Sequence, residues 1–291
     1  MNQGWAERDD NGHYWPGQPP TLPPAYYPTP ADPLVSPDYE GWWRRGAALA
    51  RQTWRQVLAV HAIATVPATA LTLPAGLRLA EETAALRITP GRLPDLSGYL
   101  SAVWQFTAVS IVASLFSAVA VAVSVQLVVL AATGRKVSVA AAFGAGVRRA
   151  PAVIGWGFLA AFVFVGAALA CFLPVFYVGA ALMILPVIAT LEPGSGIGRA
   201  FTLFHADLGS SVARVATLAG ISIAGLVVFA AVGGVLELMI GGSIGVIVST
   251  LTTGAAGLVI GIVTTPLLVT TYADMRARRE PFSTAYLAPP V

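Results

Sequence analysis

Charged residues are absent from five long blocks of the chain, and this pattern predicts an all-α membrane protein. The blocks are residues 56–77, 96–134, 150–191, 215–236 and 238–273. A helix needs about 20 apolar residues to cross a hydrocarbon layer of roughly 30 Å, and every block reaches that length. Because lipid cannot solvate irregular backbone, we expect the blocks to be helices that pack as a polytopic transmembrane bundle.

The block 150–191 decides the number of crossings. As one helix it would be about 63 Å long, twice the thickness of the hydrocarbon layer. We therefore expect a hairpin that turns near Pro174. The sequence predicts six spans, at about 57–77, 102–132, 151–171, 174–191, 213–236 and 244–272. The Gly241-Gly242 pair predicts the turn between the last two.

The basic residues predict the orientation of these spans, because positive charge concentrates on the cytoplasmic side of a membrane. With both termini cytoplasmic, thirteen flanking basic residues lie inside and only Arg78, Arg87 and Arg92 lie outside. Five spans would divide the same residues equally. We expect a multi-pass protein of the cell membrane. The strong preference for Arg over Lys, with abundant Ala, Gly and Val, indicates a GC-rich, bacterial genome.

The chain divides into three predicted segments. Residues 1–40 contain nine prolines and several tyrosines, and such a segment cannot bury enough apolar area to offset its ordering entropy. They are predicted to form a disordered cytoplasmic tail, either a plain spacer or a proline-rich ligand for a protein partner. Residues 41–283 form the membrane domain, and 284–291 form a short C-terminal tail.

Short amphipathic helices in the membrane interface are predicted at 46–55, 138–149 and 197–208. Each segment precedes an odd-numbered span, and residues such as Val139 and Phe143 place apolar side chains on one helical face. The pattern predicts three units, each an interfacial helix followed by a transmembrane hairpin.

Aromatic and basic residues at the ends of the spans are predicted to contact lipid headgroups. Indole rings favour the interface and guanidinium groups reach phosphates, so anionic lipids are expected partners at the cytoplasmic face. The predicted headgroup residues are Trp42, Trp43, Arg44, Arg45, Arg148, Arg149, Arg276, Arg278 and Arg279.

Four short motifs together resemble a known family. They are Gly41-Trp42-Trp43-Arg44-Arg45, Arg148-Arg149-Ala150-Pro151, Leu185-Pro186 with Glu192-Pro193-Gly194, and the stretch from Tyr272 to Glu280. In this order they resemble six-span bacterial proteins that are often labelled as the membrane domain of glycerophosphoryl diester phosphodiesterase. The resemblance covers about 41–283 and implies a helical membrane bundle of unassigned activity. It does not imply phosphodiesterase activity, because the label comes from a soluble barrel for which these 291 residues leave no segment.

The sequence gives no pattern typical of an enzyme. Its three histidines, His13, His61 and His205, are far apart, and no spacing predicts a metal, a cofactor or a catalytic residue. Nucleic acid is not an expected partner, since the positive charges flank membrane segments. A polar intramembrane site is the one candidate for binding, and its predicted residues are His61, Gln126, Ser114 and Ser117.

Three functions are compatible with these features. The leading hypothesis is a non-enzymatic accessory or scaffold subunit. The alternative is a transporter or permease component for a lipid-like or amphipathic solute, because repeated units and proline-interrupted spans are typical of transport sites. A membrane-embedded lipid hydrolase would require His61, Glu192 and a serine to converge.

Glycines four residues apart, as in Gly257 and Gly261, would also allow helix–helix packing within a homo-oligomer.

Overall fold

A computed structural model describes residues 27–86, 95–170 and 172–287, and these residues contain eight α-helices and no strand. The helices are α1 (Tyr39–Ala85), α2 (Ser97–Ala132), α3 (Val139–Ala170), α4 (Phe172–Leu182), α5 (Leu185–Leu191), α6 (Ile197–Phe204), α7 (Leu208–Ile240) and α8 (Gly242–Ala277). A short 3₁₀ helix, Thr284–Leu287, follows α8.

Six helical stretches of the described chain are long and apolar enough to cross a membrane, which confirms the predicted number of spans. Helices α4 and α5 together supply one of them, Leu173–Leu191. Helices α3 and α4 pack against each other, with the Phe164 ring 3.6 Å from the Cβ position at Gly179, as expected for the hairpin predicted near Pro174. The predicted turn between α7 and α8 occurs at Gly241 and Gly242, which have φ angles of 70° and 57°. Residues with a Cβ atom rarely adopt such angles.

Two of the three predicted interfacial helices do not exist as separate elements. Helix α1 has 47 residues and runs without a break through 46–55 and the first span, including Pro67 and Pro74. Helix α3 likewise continues from Val139 into the third span. The third predicted segment, 197–208, does contain a separate short helix, α6, whose Leu203 and Phe204 side chains are buried.

Close packing on neighbouring helices explains why these segments form one continuous helix with the span that follows. The backbone of Gly46 lies directly against Leu267 of α8. In α3, a Cβ atom at Gly146 would lie 2.7 Å from the Cα atom of Val123 in α2. Each segment gains this burial because it forms one helix with its span. The tertiary contacts, and not the amphipathic pattern, therefore determine where these helices begin.

The tightest packing lies at one end of the bundle, which we call the head. It consists of residues 27–38, residues 278–287 and the helix ends packed on them, and its core includes Leu34, Ile188 and Phe282. Beyond the head, many large apolar side chains are exposed, for example Val227 and Leu238 of α7. An exposed apolar surface of this kind suits contact with lipid.

The helices follow each other around the bundle in a simple order. Helix α1 packs between α2 and α8, α8 also packs on α7, and α2 also packs on α3. Helix α5 contacts α2, α3, α6 and α8. Its partners come from both halves of the sequence, so α5 ties them together at the head.

The last part of the predicted disordered tail is packed, and we call residues 27–38 the tail root. Leu34 and Val35 are buried in the core of the head. The prediction of disorder is therefore wrong for the tail root, because a few apolar residues anchor it despite the high proline content. At the other terminus, Thr284 is buried and begins the 3₁₀ helix. Residues 1–26 of the predicted tail lie outside the described residues.

Candidate functional site: charge networks in the head

The last turns of α8 carry polar residues on two opposite faces. Tyr272, Arg276 and Glu280 follow one another at four-residue intervals, and Asp274 and Arg278 lie two residues out of phase. Residues four apart share a helical face, and residues two apart do not. The helical hydrogen bonding continues past α8, since the Glu280 amide donates to the Arg276 carbonyl at 3.0 Å. Two separate networks result.

The first network, which we call the glutamate network, closes a ring of alternating charges. Glu192, which ends α5, accepts hydrogen bonds from Arg199 Nε at 2.8 Å and from the Tyr272 hydroxyl at 2.7 Å. Glu280 Oε1 accepts from Arg199 Nη2 and from Arg276 Nε, each at 2.6 Å. Arg276 Nη1 donates to the Tyr272 oxygen at 2.7 Å. Two arginines and two glutamates therefore neutralise each other and join α5, α6, α8 and the C-terminal segment.

Aromatic rings enclose the Arg276 guanidinium within this network. Its central carbon lies 4.6 Å from the centroid of the Phe282 ring and 4.7 Å from that of Tyr286. Such cation–π contacts add about 1–2 kcal/mol when the cation is desolvated. The residue is only 8% exposed, so Arg276 is held from every side by the protein itself.

The second network, the aspartate network, is more deeply buried. Asp274 is 1% exposed and lies between Arg214 of α7 and the tail root. Its Oδ1 atom accepts a hydrogen bond from the Ser36 amide at 2.5 Å. Its Oδ2 atom lies 3.0 Å from Arg214 Nη2 but accepts no well-aligned hydrogen bond, so that contact is chiefly Coulombic. The Arg214 guanidinium also lies 6.0 Å from the centroid of the Trp42 ring.

Arg278 extends the aspartate network to the start of α7. It forms an ion pair with Asp207 and donates through Nη2 to the Pro37 carbonyl at 3.3 Å. Asp207 also caps α7, because its carboxylate accepts from the amide and the hydroxyl of Ser210. One carboxylate therefore stabilises both a helix N-terminus and the end of α8.

The tail root is tied to the C-terminal segment through Asp32. The Asp32 carboxylate accepts hydrogen bonds from the amides of Leu34, Val35 and Thr284, each at 2.9 Å, and from the Thr284 hydroxyl at 2.5 Å. Arg45 of α1 holds the backbone on the other side, donating to the Asp32 carbonyl at 2.7 Å. Both ends of the described chain are thus fixed at one point of the head.

Hydrogen bonds and neighbouring arginines lower the pKa of two carboxylates in the head, Glu280 and Asp207. Partial burial raises the pKa of Glu280, but hydrogen bonds and charge from Arg199 and Arg276 outweigh it and lower the pKa below its ordinary value. Burial likewise raises the pKa of Asp207, and the hydrogen bonds from Ser210 with the charge of Arg278 lower it overall. Both groups stay ionised near neutral pH, and the low proton affinity that accompanies a lowered pKa makes them weak general bases and poor general acids.

Only part of the predicted headgroup set is free to contact lipid. Trp43, Arg44, Arg148 and Arg279 are exposed, and Arg149 is half-buried; no described carboxylate pairs with these four arginines.

The remaining members of the headgroup set face the protein, which corrects the prediction for them. Trp42 is fully buried and donates through Nε1 to the Thr271 hydroxyl at 3.1 Å. Arg45 holds the tail root, and Arg276 and Arg278 belong to the two networks. An arginine at a span end is thus equally able to pair with a distant carboxylate that the fold brings near.

The predicted polar intramembrane residues do not come together. His61 packs against Gly261 of α8, and its buried Nε2 atom has no hydrogen-bond partner. Ser114 and Ser117 lie on the exposed surface of α2, and Ser114 donates back to its own helix at the Ile111 carbonyl. Gln126 is half-buried two turns further along α2. The four residues form no common site.

The convergence required for a hydrolase is also not observed. Glu192 lies in the glutamate network with Arg199, Tyr272 and Arg276, whereas His61 lies against Gly261 in the spanning part of α1. Within the described ranges, no group of three or more His, Cys, Asp or Glu residues could hold a metal ion.

The sequence predicts part of the two charge networks. The four-residue spacing of Tyr272, Arg276 and Glu280 predicts one polar helical face, and Asp274 with Arg278 predicts another. Nothing in the local sequence indicates the partners of these residues, because Glu192 precedes Tyr272 by 80 residues.

Comparison of the chain with family models, with curated proteins and with solved structures gave no match in any of the three. The family resemblance therefore stays a prediction.

Proposed function

We propose that this protein is a non-enzymatic membrane scaffold, an accessory subunit that holds its proline-rich N-terminal segment at a fixed point on a six-span bundle. The tail root is the observation that carries this proposal. Asp32, Ser36 and Pro37 are each bound by groups from the C-terminal part of the chain. A partner bound to residues 1–26 would therefore be positioned relative to the bundle and not merely tethered to it.

The charge networks support a structural role over a catalytic one. Glu192, Asp207, Asp274 and Glu280 are each paired with an arginine. Carboxylates used in this way stabilise contacts between elements and are poorly suited to binding a metal.

The surface charge of the head supports a cytoplasmic location. Because the acids named above pair internally, the exposed charges of the head are mostly unpaired cations, in keeping with the positive-inside rule. The exposed unpaired cations are Arg44, Arg51, Arg55, Arg135, Lys136, Arg148 and Arg279. In this orientation both termini face the cytoplasm.

The scaffold hypothesis is better supported than the transporter hypothesis. Transport of a polar group needs a pathway of polar residues through the bundle. His61, Gln126, Ser114 and Ser117 do not lie together and so do not form such a pathway. Helices α1 and α8 also continue through their prolines, Pro67, Pro74 and Pro266, so these two spans are not interrupted helices of the kind found at transport sites. The span made of α4 and α5 is interrupted, but it ends in the neutralised glutamate network at Glu192.

Affinity purification from native membranes tests the proposal. The full chain should recover a partner in constant proportion, and a chain lacking residues 1–26 should lose it while keeping its thermal stability. Replacing residues 1–26 by a glycine-serine segment of equal length is the matched control and should also lose the partner. Recovery of the protein alone, with and without residues 1–26, would contradict the scaffold function.

A further inference from the structure

A narrow groove of about 260 Å³ runs between α1, α2 and α3, at the border between the head and the spans. Every side chain that lines it is apolar. Ile63 of α1, Phe116 of α2 and Phe143 of α3 are 67%, 38% and 51% exposed, so the groove opens to the outside of the bundle. A groove of this composition accepts a hydrocarbon chain and excludes a charged or strongly hydrated group.

Cations and an unsatisfied polar atom lie at the head end of this groove. Lys136 and Arg135, in the loop before α3, precede the groove residue Val139 by three and four positions, and both are exposed. Arg55 precedes the groove residue Val60 by five positions, about 8 Å along α1 and about 140° around it, so it reaches the head end of the groove only through its long, exposed side chain. One turn before Val60, Gln56 has a buried Oε1 atom without a hydrogen-bond partner.

These cations are available to a ligand because no carboxylate in the described part of the chain neutralises them. Arg55, Arg135 and Lys136 form no ion pair with any described carboxylate. Four acids at this end of the bundle, Glu192, Asp207, Asp274 and Glu280, are paired with Arg199, Arg214, Arg276 and Arg278 instead. An apolar groove that ends beside unpaired cations is complementary to an amphiphile with a negative headgroup.

We propose that this groove binds one acyl chain of an anionic phospholipid, whose phosphate and headgroup charge lie beside Arg55, Arg135 and Lys136. The chain would lie along Ile63, Phe116 and Phe143 and the headgroup would lie at the level where α1 leaves the hydrocarbon. This site is independent of the scaffold function, because it uses neither the tail root nor residues 1–26.

Photo-crosslinking with a lipid of defined headgroup tests the site. The full chain is reconstituted in phosphatidylcholine bilayers that contain a trace of phosphatidylglycerol with a diazirine in its acyl chain, and labelled peptides are identified by mass spectrometry. Labelling of residues 60–67, 116–123 and 139–143 should exceed labelling of 227–238 on the exposed face of α7. The diazirine analogue of phosphatidylcholine should label both surfaces equally.

Two sets of variants separate the headgroup contact from the groove. Substitutions Arg55→Gln, Arg135→Gln and Lys136→Gln should each lower groove labelling by phosphatidylglycerol about fivefold. Substitutions Arg51→Gln and Arg44→Gln, on α1 but about one and three turns further from the groove than Arg55, are the matched controls and should leave it unchanged. Ala64→Phe should fill the groove and remove labelling there while labelling of α7 persists.

Three results would overturn the proposal: equal labelling of the groove and of α7, equal groove labelling by the two headgroups, or groove labelling that survives all three cation substitutions. The glutamine substitutions are at exposed positions, so loss of the fold does not confuse their outcome, and thermal stability in detergent verifies this. Affinity purification of a partner by the same variants should be unchanged, which separates this test from that of the scaffold function.

Discussion

Tyr272 donates its hydroxyl hydrogen bond to Glu192 Oε1 at 2.7 Å and so joins the last turns of α8 to the residue that ends α5. The two residues are 80 positions apart in the sequence. Both are buried, so the hydrogen bond is shielded from water. This contact closes the glutamate network, and it gives the most direct test of whether the network stabilises the head.

The substitution Tyr272→Phe should destabilise the protein by about 1.5–3 kcal/mol, the range for a hydrogen bond to a charged group. The ring would still pack against Phe282, but Glu192 would lose a donor and Arg276 would lose an acceptor. The free energy of unfolding in detergent measures the effect. Tyr39→Phe is the matched control, because the Tyr39 hydroxyl bonds Thr217 at an exposed position. Equal losses in the two variants would show that the network does not stabilise the head.

The buried pair of Arg214 and Asp274 should show strong coupling. Arg214→Met leaves a buried carboxylate without its cation, which costs about 3–5 kcal/mol. Adding Asp274→Asn removes the charge while keeping an acceptor for the Ser36 amide, so the double variant should be more stable than Arg214→Met alone. Unfolding free energies of the two single variants and the double variant give the coupling energy. Strict additivity would contradict a direct interaction.

The transmembrane architecture was predictable from the sequence because hydrocarbon penalises charge so strongly. The uncharged block 150–191 is too long for one span, and it indeed contributes to two candidate spans, Val139–Ala170 and Leu173–Leu191, whose helices pack against each other. Gly241 and Gly242 were equally informative, since their tight turn requires positive φ angles. In each case the physical constraint acts on a short local segment.

The networks were not predictable to the same degree, because the same residue types serve two purposes. An arginine at the end of a span has the same local sequence whether it reaches a lipid phosphate or a buried carboxylate. Arg276 faces Glu192 only after α5 and α8 have packed together. The prediction of disorder for the tail root is wrong for a related reason. Its proline content indicates disorder, but Leu34 and Val35 are buried among distant residues in the core of the head.

Gly261 should tolerate no side chain, because His61 occupies the space beside it. A Cβ atom there would lie 2.7 Å from Cε1 of the His61 ring. Gly261→Ala should therefore destabilise the contact between α1 and α8 by about 1–3 kcal/mol. The unfolding free energy in detergent checks this, and His61→Ala in the Gly261→Ala background should recover most of the loss.

Gly257→Ala provides the control for this prediction. Gly257 is one turn before Gly261 on α8, and an added Cβ atom would meet nothing within 4 Å. The alanine should leave stability unchanged or raise it by up to about 1 kcal/mol through its better helix propensity. If both alanine substitutions changed the unfolding free energy equally, the loss at Gly261 would not be due to the contact with His61.

Acid should weaken the head through Glu280 and Asp207. The pKa of each is lowered in the folded protein, so each contributes stability that is present above its unfolded pKa and is lost as the pH falls through the folded value. The contribution of these two groups should be constant from pH 7 to about 5 and should be lost below about pH 4. Melting temperatures across this range measure the effect. Glu280→Gln should reduce the acid-dependent loss, whereas Glu40→Gln, at an exposed position without an ion pair, should not.

The carboxylate of Asp32 should control the order of the tail root. Asp32→Ala removes the acceptor shared by the amides of Leu34, Val35 and Thr284, so hydrogen exchange at these amides should accelerate by roughly tenfold or more. Asp95→Ala is the matched control, because Asp95 accepts from the Ser97 amide at the opposite end of the bundle. Unchanged exchange at the tail root would mean that Asp32 does not hold it. A scaffold that depends on a fixed attachment point should also bind its partner more weakly as Asp32→Ala, although residues 1–26 remain present.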